Sequence, residues 1–109
     1  MKDDRLYLIH IAECIGRIEE YVRGGRDAFM ASTLVQDAVL RNLQTLAESS
    51  QRLSDDLKAR HPDIDWRRIA GFRNVLVHDY LGVDTGLVWK IVENDLPPLK
   101  VRIGAMLQA

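Results

Sequence analysis

The strongest constraint on the fold is the spacing of apolar residues along two long stretches of the chain. In the first stretch they recur every three or four residues, at Leu8, Ile11, Ile15, Ile18 and Val22. In the second stretch the same alternation, with a serine at one position, runs through Val39, Leu43, Leu46, Ser50, Leu53 and Leu57. Each set therefore lies on one side of an α-helix, and two such helices are expected to pack as an antiparallel pair.

Capping residues and helix breakers predict where these two helices begin and end. The first is expected to start at Asp3 or Asp4 and to stop at Gly24-Gly25. The second is expected to run from about Ser32 to His61-Pro62, because proline disfavours helical geometry in the residue before it.

Shorter helices are expected in the rest of the chain. Residues 26–32 are interpreted as a connection, and Asp65 as the cap of a third helix that begins at the next residue. Asp84 or Thr85 can cap a fourth helix, and Pro97 can occupy the first turn of a final short one. No stretch alternates with period two for long enough to predict a strand. The expected fold class is therefore all-α, an up-and-down bundle of four to five helices.

The composition fits one compact domain spanning residues 1–109. Of the 109 residues, 47% are hydrophobic and 28% are charged, which suffices for one core, and the chain is too short for a catalytic domain plus a separate regulatory one. The single cysteine, Cys14, excludes an internal disulfide and a cysteine-based zinc site. Charged residues interrupt the N-terminal stretch, so no signal peptide or membrane span is expected, and the protein is expected to be soluble and cytoplasmic.

The charge balance limits how the chain can contact nucleic acid. A net charge of −1 and an isoelectric point near 6.3 argue against a protein that holds nucleic acid through bulk electrostatics. Residues 51–78 have a mild local excess of basic side chains, which is as typical of solvated helix surface as of a binding patch. Any such contact is therefore expected to be local.

Polar residues of the third helix fall on one narrow stripe. At about 100° per residue, four of them lie between about 80° and 140° from Trp66, namely Arg67, Gly71, Asn74 and His78. Glycine costs a helix about 1 kcal/mol relative to alanine, so Gly71 indicates either that a ligand approaches the backbone or that another helix packs closely there. Both explanations remain open at this point.

Arg73 falls at about 340°, on the same side of the helix as the apolar residues Ile69 and Leu76. Because burying an unpaired charge is costly, its guanidinium is expected to meet a carboxylate, to reach the edge of the helix, or to point into a polar cleft between subunits. For an isolated arginine, a structural ion pair is the simplest of the three.

His78 is the histidine of interest because it lies in this polar cluster, whereas His10 lies in the first helix and His61 precedes a proline. Histidine transfers protons near neutral pH, and a nearby arginine can stabilise the charge on a phosphorane-like transition state. Such a pair suits metal-independent RNA cleavage, in which the 2′-hydroxyl is an internal nucleophile. On residue types alone, a structural pair remains the simpler interpretation.

The whole segment Arg73-Asn74-Val75-Leu76-Val77-His78-Asp79-Tyr80 resembles the Arg-x4-His-x-Tyr signature of the HepT-like branch of the HEPN superfamily. Residues 36–43, the region of Glu48, and residues 61–72 also resemble that family in order and spacing, as do residues 88–99. The resemblance covers nearly the entire chain, and the signature is unbroken.

The resemblance implies an HEPN-like bundle that forms a homodimer in which the two motifs face a shared cleft. It implies an endoribonuclease with an RNA substrate, acting as the toxin of a toxin–antitoxin pair whose partner is an MntA-like nucleotidyltransferase antitoxin. No metal, cofactor or membrane is implied. Arg73 would bind the scissile phosphate, Asn74 would orient the site, His78 would transfer the proton, and the antitoxin would attach AMP to Tyr80. Arg67 and Arg68 are expected to contact RNA.

Two other functions remain open on the sequence. One is a helical nucleotide-binding or partner subunit of a nucleotidyltransferase that does not itself cut RNA, and the other is a purely structural role in oligomer assembly. Arg73 and His78 diverge by about 140° around a straight helix, so the catalytic interpretation needs a distorted helix end, a long reach of the arginine, or a partner subunit that completes the cleft.

Overall fold

The computed structural model describes residues 3–77 and 84–108, and within these ranges the side chains of all but residues 75–77. The helices are α1 (Asp4–Tyr21), α2 (Gly25–Ala31), α3 (Thr33–Arg52), α4 (Asp55–Arg60), α5 (Trp66–Val77), α6 (Thr85–Lys90), a π-helical segment (Ile91–Asp95) and α7 (Leu96–Gln108). The described ranges contain no strand, and this confirms the all-α fold class.

The core lies between α1 and α3, with α5 packed on α3 and α7 packed on α1. Both predicted apolar stripes face it: Leu8, Ile11, Ile15 and Ile18 are buried, as is every member of the second stripe from Val39 to Leu57, and Val22 is half-buried. Complete burial of a leucine or isoleucine side chain stabilises a protein by about 1.5–3 kcal/mol. The helical spacing of these side chains therefore determines which faces of α1 and α3 meet.

Three of the helices that start where the sequence predicts are capped by an aspartate. Asp3, Asp65 and Asp84 each accept a hydrogen bond from the backbone N–H three residues later, at 3.3, 3.0 and 3.1 Å. These bonds satisfy N–H groups that have no partner within the helix, and they begin α1, α5 and α6.

The expectation of a connection at residues 26–32 is wrong, because most of that stretch forms α2. Gly25 has φ 87°, a left-handed conformation that favours glycine, and it lets the chain turn from α1 into α2. Phe29 is then buried with its ring 5.3 Å from that of Trp89, and the Gln36 amide donates hydrogen bonds to the carbonyls of Phe29 and Met30. Tertiary contacts therefore stabilise a helix too short to form alone.

The second predicted helix is also interrupted, at Leu53 and Ser54, and so divides into α3 and α4. Leu53 is extended, with ψ 146°, and its buried side chain continues the apolar stripe. The backbone N–H and the hydroxyl of Ser54 donate to the two carboxylate oxygens of Asp4 at 2.8 and 2.6 Å, and Ser54 Oγ accepts the N–H of Leu57. This contact with α1 stabilises a break that no local breaker predicts.

The predicted fourth and final helices are continuous through the π-helical segment. Its wide turn is closed by a bond from the Leu96 N–H to the carbonyl of Ile91. Pro97 and Pro98 follow in the first turn of α7 and donate no backbone hydrogen bond. A turn with one extra residue directly before two prolines lets the chain remain helical where an α-helix would otherwise break.

Candidate functional site

Helix α5 contains the candidate residues that the structure describes, and its position is set at both its N-terminus and its apolar face. The Asp65 carboxylate caps its first turn, and the Trp66 indole N–H donates to the His61 carbonyl at 3.1 Å. Ile69 and Phe72 are buried against the core. These contacts determine which side of α5 faces solvent.

The predicted polar stripe of α5 is on the solvent side. Arg67 and Asn74 of this stripe are exposed and Gly71 is half-buried, and Arg73, which is not part of the stripe, is exposed as well. Among the residues the structure describes, none forms a side-chain hydrogen bond or ion pair with these three polar side chains. The surface therefore presents two guanidinium groups and an amide that are available to a ligand.

Arg73 is not buried among the apolar residues beside it. Its side chain is exposed, although Ile69 and Phe72 on the same helix are buried. A long arginine side chain at the border of an apolar face can extend its charged end into water. A structural ion pair was one of the three alternatives for its guanidinium. Arg73 forms no such pair with any carboxylate that the structure describes.

Packing against the described residues does not require the glycine of this stripe. Among the described atoms, a Cβ built on Gly71 would meet nothing within 4 Å. Close contact with another described helix of the same protomer therefore does not explain the glycine. The open space lies beside Arg67 and Asn74, where a ligand or a second protomer can approach the backbone.

Arg68 differs from its neighbour because its guanidinium is already occupied. Its Nε and Nη2 donate to the two carboxylate oxygens of Asp95 at 2.8 and 3.0 Å. This hydrogen bonding, followed by the charge of Asp95, raises the pKa of the guanidinium above its usual value. Arg68 lies about 140° around the helix from Arg73, so the two arginines are on opposite flanks of α5. The expectation that Arg68 also contacts RNA stays a prediction.

His78 and Tyr80 lie outside the described residues, so their predicted roles stay predictions. The angle between Arg73 and His78 around the helix also stays a prediction, because the structure does not describe His78. Arg67, Arg73 and Asn74 are all exposed on α5. Arg73 lies about 100–120° around the helix from the other two, and Arg68 is on the flank opposite Arg73.

Sequence reasoning missed Asp95 and a second polar cluster near the start of α5. Arg102 Nη2 donates to Asp63 Oδ1 at 3.0 Å and lies 3.2 Å from His61 Nδ1. Asp95 and Arg68 are 27 residues apart, and Arg102 is 39 residues from Asp63. Pairs at such separations leave no periodic signal in the sequence, so only the packing of α7 reveals them.

Cys14 is buried in α1, as expected, and lies at a cavity of about 200 Å3 that His10, Glu13, Arg17 and Thr45 also line. Burial raises the pKa of the thiol; the charge of Arg17 opposes this shift and that of Glu13 adds to it. Because the thiolate is the nucleophilic form, the environment of Cys14 is that of a structural residue.

The described residues contain neither a metal site nor a membrane span. No group of three or more histidine, cysteine, aspartate or glutamate side chains in residues 3–77 and 84–108 is arranged to hold a metal ion. None of the helices described is long and apolar enough to cross a membrane.

Comparison with known proteins identifies relatives over nearly the whole chain. A family model described as "Ribonuclease HepT-like" matches residues 11–106. A Thermococcus cleftensis protein named "Probable ribonuclease HepT" is 42% identical over 86% of this chain and 86% of its own length. A Methanocaldococcus jannaschii protein named "Putative RNase" is 30% identical over 94% of both chains.

Another Methanocaldococcus jannaschii relative, named "Gamma-glutamylcyclotransferase and putative RNase", is 39% identical over 94% of this chain. This chain spans 46% of that longer protein. No solved structure gives a significant match. On the family model and the identity to these relatives, the chain belongs to the HepT-like ribonuclease family.

Proposed function

We propose that this protein is a metal-independent endoribonuclease and the toxin of a toxin–antitoxin pair. The observation that supports this most strongly is the solvent face of α5. There Arg67, Arg73 and Asn74 are exposed, with no side-chain partner among the described residues, in a member of the HepT-like ribonuclease family. A structural role alone leaves this grouping unexplained.

The proposed reaction uses the chemistry of RNA itself. The 2′-hydroxyl attacks the adjacent phosphorus, and the bond to the 5′-oxygen breaks. His78 transfers the proton, Arg73 stabilises the charge that develops on the phosphate oxygens, and Asn74 orients them. Arg67, which has no side-chain partner among the described residues, can contact a neighbouring phosphate, whereas two N–H groups of Arg68 are occupied by Asp95.

A homodimer would complete the site. Arg73 and His78 diverge by about 140° around a straight helix, so a second protomer facing the first can place both kinds of side chain at one phosphate. The open space at Gly71 and the exposed stripe of α5 supply a surface where the two protomers can meet.

The ribonuclease proposal is tested with the purified protein and a labelled single-stranded RNA, after mass spectrometry has shown that Tyr80 is unmodified. We expect cleavage in the presence of EDTA, products that end in a cyclic or 3′-phosphate, and elution as a dimer in size-exclusion chromatography. Intact RNA under these conditions would contradict the proposal and would favour a non-catalytic partner subunit. Activity of a monomer would contradict the shared cleft.

We also propose that a nucleotidyltransferase antitoxin inactivates the protein by transferring AMP from ATP to the Tyr80 hydroxyl, with release of pyrophosphate. The added phosphodiester brings negative charge and bulk two residues from His78, where it can neutralise Arg73.

Replacing Tyr80 with phenylalanine is expected to leave RNA cleavage resistant to the antitoxin and ATP, whereas the wild type loses activity and gains the mass of AMP. Tyr21→Phe is the matched control, because Tyr21 is an exposed tyrosine at the end of α1, and this variant is expected to be inactivated like the wild type. Inactivation of Tyr80→Phe would place the modification elsewhere.

A further inference from the structure

Helix α5 and helix α7 are separated by a cavity of about 170 Å3. Its apolar lining comes from both sides, with Ile69 and Phe72 on α5 and Pro98 and Leu99 on α7. The apolar face of α5 is anchored on α3, but on the side of α7 it borders this space. Ile69 and Phe72 are buried, but the space between them and α7 is not filled by any described side chain, so this flank of α5 is packed less closely than a typical protein interior.

In the described part of the chain, Arg68 contacts Asp95 across this gap, and Arg102 contacts Asp63 and also lies 3.2 Å from His61 Nδ1. At the level of the first turns of α5, Arg68 holds Asp95 through two parallel hydrogen bonds of 2.8 and 3.0 Å. At the segment before α5, Arg102 donates to Asp63 at 3.0 Å. Only the first of these contacts engages a side chain of α5 itself.

The geometry of the Arg68–Asp95 contact is well suited to fixing a position. A guanidinium and a carboxylate joined by two parallel bonds define an orientation as well as a distance. The Asp95 side chain is only 19% exposed, and it is the last residue of the π-helical segment. The wide turn of that segment changes the direction of the side chains that follow it, and it places this carboxylate opposite α5.

We propose that Arg68 and Asp95 form a positioning pair, which holds α5 at a fixed distance from α7 and so sets the direction in which α5 presents Arg73 and Asn74. This inference rests on the ribonuclease function proposed above. Arg73 is five residues beyond Arg68 on the same helix, about 7.5 Å along its axis, so a rotation or shift of α5 into the cavity displaces Arg73 as well. Displacements of about 1 Å at a reacting group can lower a rate about 100-fold.

A positioning role for Arg68 and direct RNA binding by Arg68 predict different effects of replacing Asp95. If Arg68 bound phosphate, removal of the Asp95 charge would release the guanidinium and tighten RNA binding. If the pair positions α5, removal of either partner lowers the rate of RNA cleavage to a similar extent. A cycle of three variants separates the two roles.

The experiment compares Arg68→Gln, Asp95→Asn and the double variant in single-turnover RNA cleavage, with RNA affinity measured at several salt concentrations. We expect each single variant to lower the cleavage rate by roughly tenfold and the double variant to be no slower than either, with RNA affinity and its salt dependence unchanged. A weaker affinity and a shallower salt dependence for Arg68→Gln, with a normal cleavage rate, would assign Arg68 to RNA binding and overturn the proposal.

Lys100 and Glu19 supply the matched control. They form a 2.8 Å ion pair between α7 and α1, and neither residue is on α5. Lys100 is exposed to the same extent as Arg68, at 58%, whereas Glu19 is 50% exposed and Asp95 19%. Lys100→Gln and Glu19→Gln are expected to leave cleavage unchanged. An equal loss of rate in these controls would show a general effect of removing surface charge and would contradict a specific role for the Arg68–Asp95 pair.

Hydrogen exchange tests the pair independently of activity. In Arg68→Gln and Asp95→Asn, the amides of α5 are expected to exchange faster than in the wild type, while those of α1 and α3 stay unchanged. Unchanged protection of α5 in both variants would overturn the positioning role even if the wild type cleaves RNA. An inactive wild type with loosened α5 in the variants would instead contradict the proposed function and leave the positioning of α5 supported.

Discussion

Replacing His78 with alanine is expected to lower the rate of RNA cleavage about 10²- to 10⁴-fold, the range in which positioned acid–base groups contribute. The reaction needs a proton removed from the 2′-hydroxyl and a proton given to the leaving oxygen, and alanine can do neither. The rate is measured under single-turnover conditions with saturating protein, so that RNA binding does not limit it. In cells, the same variant is expected to lose growth inhibition.

The matched control for this prediction is His10→Ala. His10 is an exposed histidine on α1, with its ring edge-on to that of Tyr7 at 6.4 Å, and it lies in another helix from the candidate residues. We expect His10→Ala to cleave RNA at the wild-type rate. Undiminished cleavage by a folded His78→Ala protein would remove His78 from the mechanism and with it the proposed acid–base chemistry.

Replacing Arg73 with alanine is expected to lower the rate about 10²- to 10³-fold, the cost of removing one group that stabilises developing charge. Arg73 is exposed, so the free energy of unfolding is expected to change by no more than about 0.5 kcal/mol. Urea unfolding followed by circular dichroism measures that change beside the cleavage rate. A large loss of activity without a loss of stability would identify a functional arginine rather than a structural one.

Arg73→Lys and Arg26→Ala extend this test. Lysine keeps the charge of Arg73 but not the planar fork that can hold two phosphate oxygens, so we expect only partial recovery of the rate. Arg26 is an exposed arginine on α2, and its replacement by alanine is expected to have no effect on cleavage. Wild-type activity of Arg73→Ala would exclude Arg73 from the site.

Much of the helical framework was predictable because its causes are local. Asp3, Asp65 and Asp84 cap helices through hydrogen bonds to backbone groups three residues away, and such bonds depend on little beyond the neighbouring sequence. The buried stripes of α1 and α3 follow from helical periodicity in the same way. The exposed position of Arg67 and Asn74 follows too, since it lies opposite the apolar face of α5.

The predictions failed where distant residues decide the local conformation. The break at Ser54 is stabilised by the carboxylate of Asp4, 50 residues away, and α2 is stabilised by the contact of Phe29 with Trp89. Neither pairing has a spacing that a sequence pattern can detect. For Arg73 the sequence left three alternatives open, and its exposed position agrees with the one in which the long side chain extends its charged end into water.

The sequence by itself determined that the fold class is all-α, which faces of the long helices are buried, and which residues resemble the HepT-like signature, because periodicity, capping and motifs act over a few residues. Only the tertiary structure decided that Arg68 is bonded to Asp95, that Arg73 is exposed on the opposite flank of α5, and that no described atom fills the space beside Gly71. These features depend on how α5 and α7 lie across a cavity, and that arrangement results from the packing of both helices on α1 and α3.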